Sequence, residues 1–215
     1  SARREKKSVG MQELTESIEK VILGPERRSR VINQKEKEII AYHEAGHALV
    51  ASFLKNSDPV QKVSIISRGQ AGGYTMSVPT EDRRLHSKSY FIDELAVFLG
   101  GYVSEKIKFK DITTGASNDL ERATQMARDM ITRYGMSELG PRTFGKKEEL
   151  IFLGKEINEE KNYSENTAQA IDKEVSRFIS EAYIASEKII REKSEMLEKI
   201  SLTLLVQLQP QCKPN

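Results

Sequence analysis

His43, Glu44 and His47 fall in the order His-Glu-x-x-His within AYHEAGHALVASFL, residues 41–54, of a chain that holds only three histidines. Side chains four apart on a helix differ by about 40° in direction, so two imidazoles there can converge on one ion. A catalytic zinc takes three protein ligands and keeps a fourth position open. It brings the pKa of water to about 7. Glu44, next along the helix, can take that water's proton and pass it to a leaving amine. Two ligands and a general base thus fit in five residues. The plainer alternative is a pair of core histidines, each hydrogen-bonded to a neighbour.

The surrounding pattern must supply a helix to carry these groups. From Gln34 to about Leu54, Ile40, His43, His47, Val50 and Leu54 recur at steps of three and four, so both histidines lie on the core-facing stripe. VSII and YTMSV flank SRGQAGG and predict a hairpin, with Tyr74, Met76 and Val78 alternating against Thr75 and Ser77. Residues 87–106 predict a helix whose stripe of Phe91, Leu95, Phe98 and Tyr102 continues into a carboxylate, Glu105. DITTGASNDLERA predicts a loop and then a helix start, with Asn118 as N-cap and Leu120, Ala123, Ala127, Met130 and Tyr134 facing inward. A connection rich in charge follows. A long helix over residues 164–190 and a further one to Leu205 then predict a C-terminal helix bundle. The expected fold class is mainly α (α+β): helices, a small β-hairpin and a C-terminal bundle of long helices.

Composition narrows the function classes. A net charge of +2 over 215 residues gives no global attraction to nucleic acid, and ARREKK and PERRSR read as solvated faces. One cysteine excludes both a disulfide framework within the chain and a cysteine zinc site. No apolar run approaches the ~18 residues that span a bilayer, and the first twenty residues carry no signal-peptide core.

A third metal ligand needs its own argument. The metzincin extension would place glycine at 50 and histidine at 53, where this chain has Val50 and Phe53. His86 follows TEDRRL in an expected exposed loop. Two carboxylates remain: Glu105, which interrupts an apolar stripe, and Asp119, in the first turn of a helix where the dipole keeps it ionised. Local physics leaves the choice between them open.

The motifs GPERRSRVINQKEKEIIAYHEAGHALVA, SRGQAGGYTMSVPTED, LGGYVSEK, TTGASNDLERATQMARDMITRYGMS and GPRTFG appear in this order. Together they closely resemble the peptidase domain of FtsH-type ATP-dependent zinc proteases, from Ala2 to about Leu205. The resemblance implies a zincin-like metalloendopeptidase in which His43, His47 and Asp119 ligate Zn2+, Glu44 is the catalytic base, and Glu105 orients a ligand. Tyr102 and Lys106 depart from the family's GGR-AEE pattern. Gly72, Gly73, Tyr74 and Thr75 become candidates for pairing an extended substrate as an added strand.

The resemblance also implies that residues 1–23 close an upstream AAA+ ATPase module, 24–33 link it, 34–205 form the peptidase domain and 206–215 are an atypical tail. No GxxxxGK[ST] motif occurs in the chain, so ATP and Mg2+ would belong to that upstream module. Expected partners are polypeptide substrates, unfolded or membrane-derived, and identical subunits in a hexameric ring, with no nucleic acid. Anchoring would lie in N-terminal segments outside this sequence, in a bacterial inner membrane or an organellar one. The competing expectation is a catalytically silent, ring-forming domain of the same fold.

Overall fold

The computed structural model describes residues 33–67, 72–79, 82–145 and 162–207, with positions 10, 11, 14, 17, 20, 21 and 24 before them. Helix α1 (Gln34–Phe53) starts at Asn33, whose side chain accepts from the Glu36 backbone N–H at 2.7 Å. It is buried on all sides from Ala41 to Ala51 and forms the axis of the core. Strand β1 (Val60–Ser64) pairs antiparallel with β2 (Tyr74–Ser77), with Val63 opposite Thr75 and Ser64 opposite Tyr74. Helix α2 (Lys88–Phe109) is capped by Ser87 and ends where Lys110 turns left-handed at φ 57°. A short 3-10 turn (Thr114–Ala116) leads into α3 (Ser117–Thr132). Helices α4 (Glu165–Glu192) and α5 (Ser194–Gln207) close the bundle.

Helix α1 packs against α2 and α5, and α2 against α4 and α3. The α1–α2 crossing is unusually close because small residues meet there. A Cβ on Gly46 would run into the Gly100 carbonyl and come within 2.6 Å of the Ser104 Cβ. Ser104 Oγ instead donates to the Tyr42 carbonyl at 2.6 Å. Leu49, Leu95, Leu99, Met130, Ile131, Ile171 and Phe178 fill the core around this crossing.

The mainly helical class with one hairpin agrees with the sequence reading, but several details differ. The first strand covers Val60–Ser64, earlier than VSII, with an irregular register between Val60 and Lys62. Asn118 is not the N-cap of α3. The 3-10 turn feeds that helix directly, it starts at Ser117, and the cap position is Ala116 without a side-chain bond. Tyr134 is 47% exposed because α3 stops at Thr132, although its ring stacks on Phe91. Helix α5 continues through Gln207, past the boundary expected at 205. Most of the charged connection, up to residue 161, lies outside the described residues, as do the linker at 25–32 and the tail from 208, while the end of that connection enters α4 at Glu165. Among those described, no helix is long and apolar enough to cross a membrane.

Candidate functional site

Helix α1 brings His43 and His47 to the α1–α2 crossing, where close packing leaves room for their rings. Gly101 of α2 is the main reason: a Cβ there would lie 2.6 Å from both Nδ1 and Nε2 of His43. The other ring nitrogens are then fixed from α2. His43 Nδ1–H donates to Glu105 Oε1 at 2.7 Å, and His47 Nδ1–H donates to the Val97 carbonyl at 2.7 Å. Both tautomers are thereby set with the Nε2 lone pairs facing inward.

Asp119 enters from the first turn of α3. Its Oδ2 stands 3.1 Å from His43 Nε2 and 3.3 Å from His47 Nε2, and the two Nε2 atoms are 3.0 Å apart. With Nδ1 of each ring already committed, three potential ligand atoms converge on one position, where either a proton on His43 Nε2 or a metal cation offsets their mutual repulsion. Ligands at ~2.0 Å in tetrahedral array stand about 3.3 Å from each other, which matches this triangle. Among the described residues these three form the group able to hold a metal ion.

Glu105 does not compete for that position. It is 1% exposed, its Oε1 is committed to His43, and its Oε2 accepts from the Thr113 backbone N–H at 2.8 Å. One carboxylate thus orients a histidine and pins the loop that delivers Asp119. His86 is exposed and lies over Tyr90 and Phe91, away from this centre.

Electrostatics follow from the geometry. Burial lowers the His43 pKa, but the hydrogen bonds it donates to the Asp119 and Glu105 carboxylates outweigh this and raise it to about 10, so the position between Nε2 and Asp119 favours positive charge, a proton or a metal cation in its place. Burial acts upward on Asp119 too, yet the two histidines hold its carboxyl well below the usual range. Glu44 is raised, chiefly by burial, against the pull of His47, His43 and Thr75. A carboxylate in that position is a better proton acceptor than an exposed one.

The hairpin lies against α1 at Glu44. Gly73 is buried, and a Cβ there would meet the Ser64 carbonyl at 2.8 Å and Glu44 Oε1 at 2.9 Å. Tyr74 is buried, Gly72 sits over the Ile40 side chain, and Thr75 Oγ1 donates to Glu44 Oε2 at 2.8 Å. Of the four hairpin residues named from the sequence, Gly72, Gly73 and Thr75 therefore lie against α1, Gly73 and Thr75 at Glu44 itself. Tyr102 and Lys106, where the family pattern is broken, share one neighbour on α4: Tyr102 meets the Tyr183 ring edge-on, and Lys106 Nζ lies 5.0 Å over it.

Sequence reasoning missed the roles of the Val97 carbonyl, the Thr113 N–H, Gly101 and the Thr75 hydroxyl. The first two are backbone groups and leave no residue-type signal. The pair Gly100-Gly101 inside an apolar helical stripe did carry one, since glycine there costs helix stability unless something approaches closely.

Several known proteins have similar sequences. The model of peptidase family M41 matches residues 30–208. The ATP-dependent zinc metalloprotease FtsH 1 of Sphaerobacter thermophilus is 54% identical over 206 residues, covering 95% of this chain and 32% of that protein. The proteins of the same name from Thermomicrobium roseum and a Thermoanaerobacter species are 54% and 51% identical, over 96% and 95% of this chain and 32% and 34% of theirs. The chain thus spans about a third of the length of these relatives. With the match running from before α1 to the end of α5, the chain belongs to peptidase family M41.

Proposed function

We propose that this chain is the zinc-dependent endopeptidase part of a longer, membrane-anchored, ATP-dependent protease, and that residues 34–205 carry out peptide-bond hydrolysis. The observation that carries the reading is the triangle of His43 Nε2, His47 Nε2 and Asp119 Oδ2 at zinc-ligand spacing. His43, His47 and Asp119 would hold Zn2+, which supplies a Lewis acid for the water and the scissile carbonyl. Glu105 and the Val97 carbonyl hold the imidazoles in the ligating tautomer. Glu44 takes the proton of the attacking water and returns it to the leaving amine nitrogen. The β1–β2 hairpin, with Gly72, Gly73, Tyr74 and Thr75 beside Glu44, aligns an extended substrate by backbone pairing, which grips many sequences with mild side-chain preference.

The relatives' names describe ATP-dependent enzymes, and residues 1–23 would close the motor module of this protein, with 24–33 as linker. Identical subunits would form a hexameric ring, anchored to a membrane by segments outside this sequence. The substrates would be unfolded or membrane-derived polypeptides that the motor delivers.

A direct test gives the zinc-loaded 215-residue chain an unfolded protein and a tightly folded one, without ATP. Cleavage of the unfolded substrate alone is expected. Digestion of the folded one would contradict dependence on a motor, and cleavage of neither would contradict the peptidase reading.

A further inference from the structure

We propose that Thr75 is the positioning residue for the catalytic base, its β2 hydroxyl fixing the Glu44 carboxylate and tying that base to the hairpin that receives the peptide. This rests on the reading of Glu44 as the base.

Glu44 extends from α1, and its terminal torsion is broad and roughly two-fold, so its own helix does not set the carboxylate plane. Thr75 Oγ1 does, from 2.8 Å to Oε2. The same hydroxyl lies 3.1 Å from the Glu44 carbonyl, but it has one proton, and the shorter contact to a charged acceptor takes it. The donor is itself well anchored. Thr75 is paired across the sheet with Val63, and a β-branched side chain has few χ1 choices.

Two residues earlier, on the same face of the strand, Gly73 leaves the space that Glu44 occupies: a Cβ there would be 2.9 Å from both Cγ and Oε1. The inward face of β2 is therefore shaped around this glutamate twice, by a missing side chain at 73 and a hydrogen-bond donor at 75. Any shift of the strand along its axis moves the donor with it. A peptide added to the hairpin would hold the strand in place, and so hold the base where it must meet water.

The test compares wild type, Thr75→Val, Thr75→Ser and Glu44→Gln in the 215-residue chain, measuring zinc content, kcat and KM on an unstructured fluorogenic peptide. Thr75→Val keeps the shape and removes the donor. We expect its kcat to fall roughly ten- to hundredfold, with KM within about twofold, as for a misplaced reacting group. Its zinc content should equal that of wild type. Thr75→Ser restores the hydroxyl and should stay within about threefold of wild-type kcat.

Full activity in Thr75→Val would overturn the proposal. So would loss of zinc in that variant, a rise in KM alone, or a Thr75→Ser as impaired as Thr75→Val. Glu44→Gln separates the two levels of the account. If it is inactive while Thr75→Val is fully active, only the role of Thr75 fails. If Glu44→Gln is itself active, the reading of the base fails and the role of Thr75 falls with it.

Discussion

Glu44→Gln is expected to lower kcat on the order of 10³-fold, the scale of a lost general base, while zinc stays bound. The substitution is nearly isosteric in a buried position, and the new amide oxygen can still accept from Thr75 Oγ1. Neither the histidine tautomers nor Asp119 depends on Glu44, since His43 and His47 are fixed by Glu105 and the Val97 carbonyl. What disappears is the proton acceptor beside the metal position. Steady-state kinetics with elemental analysis of the same sample would check this. Activity within about tenfold of wild type would mean that another group takes the proton.

Gly101→Ala should be almost as damaging, by a different route. The added methyl would stand 2.6 Å from ring atoms of His43, well inside van der Waals contact. The ring cannot retreat without breaking its 2.7 Å bond to Glu105, and α1 cannot retreat without opening the crossing at Gly46 and Gly100. Zinc affinity is expected to drop about a hundredfold, the upper range for losing support behind a ligand. Overpacking of the crossing should cost about 1–3 kcal/mol in stability. Chelator competition and denaturant unfolding read the two effects separately, and a variant that binds zinc like wild type would show that the crossing is looser than described.

These two variants also show what was legible in the sequence. The placement of Glu44 beside the His43–His47 pair was, because the three fall within five consecutive residues of one helix and helical spacing alone sets their relation. The long helices were too: the stripe through Ile171, Phe178 and Ala182 is buried in α4 as its periodicity requires. The choice between Glu105 and Asp119 was not legible from local pattern, because both are carboxylates beside apolar faces. It depends on two contacts spanning 62 and 76 residues, which only the packing of α2 and α3 on α1 defines. Asn118 misled for a related reason. A capping signature cannot register that a 3-10 turn already supplies the first helical turn. The Tyr102 and Lys106 departures look unrelated in one dimension, yet they meet at Tyr183 of α4.

The central claim is that His43, His47 and Asp119 form the ligand set while Glu105 stands behind His43. Zinc per chain, measured by elemental analysis after equilibration with zinc and removal of free metal, tests it in wild type, Asp119→Asn and Glu105→Gln. The account predicts about one zinc in wild type, most of it kept by Glu105→Gln and nearly all of it lost by Asp119→Asn. Zinc lost from Glu105→Gln but kept by Asp119→Asn would contradict it.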